Sequence, residues 1–196
     1  MMQIDPAMAQ VLEALTMQVP FDGWTSTALR RALLSLGQPP EDAPLLFPGG
    51  AGEMVEAFYA WGDAQMAQGA ASLQIPRLSA RVRAILALRF AQNRGHKEAV
   101  RRGLAVLSLP RNTRRAARCT AATVDTIWAA AGDTSSDFSW YSKRAILAGV
   151  YGASLLFWLA DSSEDDAATL AFMDRRLAGV ARLGKIRKSI LGNIPR

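Results

Sequence analysis

Only one of the 196 residues is cysteine and only one is histidine, and both shortages narrow the available chemistry. Cys119 has no partner for an intrachain disulfide; its place among alanines in a helical pattern predicts a small buried hydrophobe. His96 follows Gly95 in a predicted turn with no second His or Cys nearby, so it reads as a solvated loop residue and no metal site is expected. The chain has no Gly-rich loop between strand and helix, no His-Glu-x-x-His and no Gly-x-Ser-x-Gly. Asp133, Asp137 and Asp161 remain as carboxylates for acid–base work, but each flanks a predicted helix, where capping is the ordinary role. A protein without catalysis, cofactor or metal is therefore expected. The first ten residues have neither the basic segment and apolar core of a secretory signal nor the Arg-rich, acid-poor character of a transit peptide. The longest uncharged run, residues 145–160, falls short of the ~20 apolar residues that span a bilayer. A soluble protein, at most attached to a membrane surface, is the expectation. Internal repeats and low-complexity linkers are also missing.

What is present is apolar character and unevenly distributed charge. Half of the residues are hydrophobic, enough for one sizeable core. The net charge of +6 divides into −6 over residues 1–76, +11 over 77–118, −6 over 119–174 and +7 over 175–196. Two regions could therefore attract anionic surfaces.

Apolar residues recur at three- and four-residue steps along nearly the whole chain, which predicts an all-α protein. The first helix starts near Pro6 on Met8, Val11, Leu12 and Leu15, with Pro20 and Gly23 marking its end. Thr25 opens a second on Ala28, Leu29, Ala32, Leu33 and Leu36, and Gly37 stops it. Residues 38–52 read as loop with one short turn. A helix over 53–68 turns Met54, Phe58 and Trp61 inward, and the next keeps Leu78, Val82, Leu86 and Phe90 on one side with Arg81, Arg83 and Arg89 elsewhere. Residues 97–107 form a helix on Val100, Leu104 and Leu107. Asn112 is expected to cap a helix with the inner stripe Ala117, Thr120, Val124, Trp128 and Ala131, its basic first turns carrying Arg111, Arg114, Arg115 and Arg118. The helix over 138–159 is apolar nearly all round after Arg144, so it must be covered by protein, a partner subunit or lipid, and it could equally serve as a homodimer face. A last helix is expected from Ser163, with Glu164, Asp165 and Asp166 in its first turn.

Aromatic residues concentrate where the 138–159 helix begins: Phe138, Trp140 and Tyr141 stand beside Lys143 and Arg144, after Ser136 or Asp137 as a cap. Packing can account for Phe138 and Tyr141, less readily for Trp140. Val124, Ile127, Trp128, Tyr151, Leu155 and Trp158 could line an apolar conduit between this helix and the preceding one. Ordinary core is the competing assignment for all six and the commoner one for any single residue.

Three short helices followed by a larger helical body are also the plan of many one-component repressors, with the recognition helix falling near residues 41–47. DNA affinity depends on Lys and Arg. Residues 38–47 contain none, and Pro39, Pro40 and Pro44 cut any helix short, so no specific nucleic-acid partner is expected. In the tail, Leu183, Ile186, Ile190 and Leu191 alternate with Arg182, Lys185, Arg187 and Lys188 as in a basic amphipathic helix. Each such base contributes roughly 1 kcal/mol near an anionic leaflet.

Val19-Pro-Phe-Asp-Gly-Trp-Thr, Leu46-Phe-Pro-Gly, Asp125-Thr-Ile-Trp, the run from Gly132 through Asp-Thr-Ser-Ser-Asp-Phe-Ser-Trp-Tyr-Ser-Lys to Arg144, Tyr151, and Thr169-Leu-Ala-Phe-Met-Asp-Arg-Arg-Leu together resemble the lipid-binding accessory proteins of ubiquinone biosynthesis. The resemblance covers nearly the whole chain. It implies an all-α, TetR-repressor-like bundle in three parts: a degenerate helix-turn-helix-like part over 1–50, a lipid-binding helical body over 51–183 and a basic amphipathic tail over 184–196. It further implies binding of a lipid or isoprenoid quinone intermediate, docking on a membrane through the tail, and assistance to the membrane-bound demethoxyubiquinone hydroxylase. Asp137, Phe138, Trp140 and Tyr141 match the family's hydroxylase-contacting motif. A bacterial protein, cytoplasmic and peripheral on the inner membrane, is expected; the mitochondrial matrix side would apply to a mature eukaryotic form. A TetR-type regulator with a lipid effector is the alternative.

Overall fold

The computed structural model describes residues 4–134 and 138–191, with side chains for 4–134 and 140–180. Regular structure among the described residues is helical throughout, without strands. Contacts group the chain into two compact units, 1–133 and 134–196.

In the first unit α1 (Pro6–Asp22) begins at Asp5, whose carboxylate accepts from Met8 N at 2.7 Å. Pro20 lies inside its last turn, and the stop is Gly23, at φ +70°, where a residue without Cβ is needed to leave the helix. Thr25 caps α2 (Ser26–Ser35) by accepting from Ala28 N at 3.2 Å. A 3₁₀ turn (Pro40–Asp42) and a four-residue α3 (Ala43–Leu46) occupy the expected loop. Then come α4 (Ala51–Ala70), α5 (Leu78–Asn93), α6 (Lys97–Leu107) and α7 (Thr113–Ala130). Helix α4 is central and packs along both α5 and α7. Leu12, Leu15, Leu29, Leu33, Met54, Phe58, Ile85, Leu86 and Phe90 are fully buried. Each such side chain contributes roughly 1.5–3 kcal/mol by leaving water. Trp24 ties the α1–α2 corner to α6 by donating from Nε1 to Ala99 O at 3.0 Å.

Four expectations for this unit need correction. Leu78 is 37% exposed in the first turn of α5, whereas Arg89, placed outside the inner stripe, is 1% exposed because it meets a buried acid. Helix α7 is turned from the expected stripe: Cys119, Thr123, Val124 and Ile127 are buried, Ala117 is exposed, and Thr120 and Trp128 are partly so. That turn brings the Thr123 hydroxyl within 3.0 Å of Asp63 Oδ2. Asn112 occupies the N-cap position, but its Nδ2 reaches back to donate to Val106 O at 2.8 Å. His96 is half-buried beside Trp61, ring centres 6.1 Å apart, and burial lowers its pKa against the opposing charge of Glu13.

The second unit pairs α8 (Phe138–Ala160) with α9 (Ala167–Leu191). The last helix starts four residues later than expected because Asp165 (φ 52°) and Asp166 (φ 57°) adopt left-handed backbone, which short polar side chains tolerate best after glycine. The acids of 164–166 thus form a 3₁₀ turn ahead of α9. Asp161 does the capping: Oδ1 accepts from Ser163 N at 2.8 Å, and Oδ2 accepts from Thr169 N at 2.8 Å and Thr169 Oγ1 at 2.6 Å. Its burial, which alone would raise the pKa, is outweighed by these hydrogen bonds, so the carboxyl sits far below the usual range.

Candidate functional site

At the start of α8, Tyr141 is 68% exposed and Trp140 partly exposed. Their rings meet edge to face, 4.8 Å between centres. The Arg144 guanidinium lies 3.8 Å above the Trp140 ring, a cation–π contact at helical spacing. A flat aromatic under a cation, with a second ring at its edge, is a ready contact for another protein, because Trp, Tyr and Arg supply the most contact energy per residue. Of the expected partner-binding residues, Trp140 and Tyr141 are described here. Asp137 and the side chain of Phe138 lie outside the described residues, as do the side chains of the tail set, Arg182, Leu183, Lys185, Ile186, Arg187, Lys188, Ile190 and Leu191, although the α9 backbone runs through them.

The six expected lipid-lining residues fall in both units. On α7, Val124 and Ile127 are buried and Trp128 is partly exposed. On α8, Tyr151, Leu155 and Trp158 form one buried stripe at steps of four and three. The opposite side of α8 is apolar too: Ile146 and Phe157 are exposed, Leu156 is 67% exposed, and Phe157 stacks on Phe172 of α9 with ring centres 4.6 Å apart. Trp140–Ala160 is long and apolar enough to cross a bilayer by length and composition, with 33% of it buried. A core helix can meet the same criterion.

Sequence reasoning missed a buried charge cluster in the first unit. Asp63 of α4 is 3% exposed; its Oδ1 lies 3.5 Å from Arg89 Nη2 on α5, and its Oδ2 accepts from Thr123 Oγ1 on α7. Arg89 Nη1 donates to Asn93 Oδ1 at 3.3 Å. Burial pushes the Asp63 carboxyl up to about 6, against the lowering pulls of Arg89 and Thr123. Gly62 makes room for the guanidinium: a Cβ there would meet Arg89 Nη1, with Cζ at 2.7 Å and Nη2 at 2.8 Å. The available signal was the one charged residue in the stretch from Ala57 to Met66, which is otherwise apolar but for Gln65 and so calls for a buried partner. Beside the cluster, between α4 and α7, is a cleft of about 350 Å³, a size within the range of small-molecule sites. Tyr59, Ala60, Asp63, Cys119 and Ala122 line it, with Glu56, Arg118, Ala121 and Asp125 on its more exposed parts. Burial, first, and the nearby acids push the Cys119 thiol up to about 11, so it is an inert wall rather than a nucleophile.

The sequence pattern of the COQ9 family matches residues 113–184. The coq9 protein of Schizosaccharomyces pombe, called a mitochondrial ubiquinone biosynthesis protein, is 30% identical over 188 residues, covering 93% of this chain and 73% of that protein. A probable mitochondrial ubiquinone biosynthesis protein coq9 of Dictyostelium discoideum is 29% identical over 189 residues, and the rat COQ9 protein is 38% identical over 89. The chain spans 62% of the length of the first and 28% of the second. Among solved structures, a TetR transcriptional regulator from Nitrosomonas europaea superposes with a TM-score of 0.70 at 17% identity, covering 90% of this chain and 99% of that one. The fold is therefore TetR-like and all-α, while the alignment with the fission-yeast protein across most of both chains establishes that this chain belongs to the COQ9 family.

Proposed function

We propose that this protein is a non-enzymatic accessory factor of ubiquinone biosynthesis that binds an isoprenoid quinone intermediate at a membrane and presents it to the demethoxyubiquinone hydroxylase. The observation that carries the reading is the Trp140–Tyr141–Arg144 cluster, partly exposed at Trp140 and Arg144 and open at Tyr141, at the start of a long apolar helix, in a chain whose relatives are named for that pathway. A polyprenyl chain costs about 0.8 kcal/mol per exposed CH₂, so its passage from bilayer to enzyme calls for an apolar conduit. Val124, Ile127 and Trp128 in the first unit, and Tyr151, Leu155 and Trp158 in the second, are proposed as apolar lining, each set within its own unit. Asp137, Phe138, Trp140 and Tyr141 are proposed for hydroxylase docking, and the basic tail for anionic lipid. The protein would sit peripherally on the cytoplasmic face of a bacterial inner membrane, or on the matrix side of the mitochondrial one in a eukaryote.

Two measurements test this reading. Mass spectrometry of lipids co-purifying with the protein should find isoprenoid species; their absence counts against carriage. Trp140→Ala should lose hydroxylase binding in a pull-down while keeping its helical circular dichroism, and undiminished capture would reject the docking surface. The rival reading, a TetR-type regulator with a lipid effector, draws on the shared fold. A specific gel shift with genomic fragments would favour it over the accessory role.

A further inference from the structure

We propose that the exposed side of the α8–α9 pair around Phe157 and Phe172 is a lipid-contacting surface that beds into the headgroup layer of an anionic bilayer, with Arg175 and Arg176 meeting the phosphates. The geometry lies wholly in the second unit. On α8, Ile146, Ala153 and Phe157 follow at steps of seven and four and so share one side of the helix, and Leu156 beside them is 67% exposed. Phe157 lies flat on Phe172 of α9, the two rings within 9° of parallel, so the apolar surface continues from one helix to the other. Its α9 edge is cationic: the Arg176 guanidinium is 4.8 Å and that of Arg175 5.9 Å from the Phe172 ring centre, and both arginines are exposed. Rings flanked by guanidinium groups suit the boundary of a bilayer, where aromatics sit at headgroup level and basic side chains reach the phosphates from an apolar base.

Charge decides between lipid and a second copy of this chain as the cover for that face. Helix α8 contains no acid, and between residues 167 and 196 the one acid is Asp174. It stands two residues past Phe172, about 200° round the helix, and so belongs to the other side. Asp161 is engaged in capping and Asp166 is buried. Glu164 and Asp165 belong to the turn before α9, ~7 Å or more along the axis from Phe172. A two-fold contact centred on the paired rings would therefore set Arg175 and Arg176 against the same bases of the partner, with no acid on that side of either helix to meet them. Lipid phosphates complement them. Helical register carries the same side of α9 into the tail: positions 183, 186 and 190 stand eleven, fourteen and eighteen residues past Phe172, close to whole numbers of turns, and all three are apolar in the sequence. Membrane contact thus begins in the folded hairpin rather than in the tail alone.

The choice of a bilayer rests on the proposed membrane docking; the apolar face and its arginines do not. The test attaches an environment-sensitive nitrobenzoxadiazole dye to the full chain at Leu156→Cys, an exposed site, whereas the native Cys119 is buried. With vesicles of phosphatidylglycerol and phosphatidylcholine in equal parts the dye emission should shift to the blue, and with phosphatidylcholine alone it should not. An unshifted dye on anionic vesicles with which the chain nonetheless floats would overturn the proposal and leave attachment to the tail. A shift that appears without vesicles and grows with protein concentration would assign the face to a second copy and overturn it as well. Arg175→Gln combined with Arg176→Gln should weaken binding to the anionic vesicles about five- to thirtyfold. Arg111→Gln combined with Arg114→Gln, the same charge change at two exposed arginines of the first unit, should leave binding nearly unchanged. Equal losses in the two double variants would reduce the effect to net charge and overturn the site. Flotation reports membrane docking as a whole and the dye reports this face alone, so a failure here is distinguishable from a failure of the docking reading.

Discussion

At the scale of single residues, two aspartates act in opposite directions with pH. Asp63 has its pKa raised by burial from 3.8 to about 6, so the folded state holds a proton that the unfolded chain has released. Its contribution to stability is fully present below about pH 4 and lost as pH rises to about 6. Thermal melts of Asp63→Asn should accordingly lack this decline between pH 4 and 6, a comparison that an unchanged difference from the parent protein would refute. Asp161 is the reverse case, a capping carboxylate whose pKa is lowered by its hydrogen bonds once they outweigh burial. Its stabilisation is present above the usual carboxylate pKa and lost as pH falls below about 4. Asp161→Ala should cost about 1 kcal/mol at pH 7 in urea unfolding and weaken the acid-induced loss. Neither role was legible in the sequence to the same degree. Capping by Asp161 followed from its place after a helix. The burial of Asp63, Arg89 and Thr123 did not, because their partnership spans three helices and a charged residue in a helical period ordinarily faces water.

At the scale of elements, periodicity located the helices well where the core face was purely apolar. The predicted helix over 97–107 has the observed bounds of α6, since Val100 and Leu107 face inward and Pro110 lies beyond. Where a polar residue set the orientation, apolar spacing misjudged the stripe, and α7 is the example. Left-handed backbone at Asp165 and Asp166 was equally missed, because aspartate adopts it only occasionally and the same acids suit the first turn of a helix. The repressor-like part illustrates what prolines do: α3 holds only four residues, with no Lys or Arg between 38 and 47 to meet a phosphate. Gel shift with the full chain should therefore give no sequence-specific complex, and replacing Pro39, Pro40 and Pro44 with alanine should not create one. The start of α8 was legible only in part: packing was expected to cover Tyr141, which is 68% exposed, whereas Trp140, the ring less readily accounted for by packing, is partly exposed. Arg144→Ala should weaken hydroxylase capture less than Trp140→Ala, since it removes the cation and leaves both rings.

For the whole molecule, charge alternates along the chain in four blocks, with the last seven bases, over residues 175–196, facing no acid in sequence. Deleting residues 184–196 should reduce flotation with anionic liposomes, and the difference should shrink as salt is raised because screening shortens the reach of each base. Equal flotation of the truncated chain would assign membrane attachment to some other surface. Within the first unit, the bond from Thr123 and the ion pair with Arg89 link α7, α4 and α5 through a single carboxylate, so this part of the protein depends on one buried group. Removing one partner of such a pair typically costs about 3–5 kcal/mol. The bare backbone at Gly62 extends that dependence into inheritance. Any bulkier residue there strikes the guanidinium, and shedding the arginine first strands the acid, so each single step away is punished before a second can compensate. Positions 62, 63, 89 and 123 thus form an epistatic block, which descendants are expected to keep or abandon together.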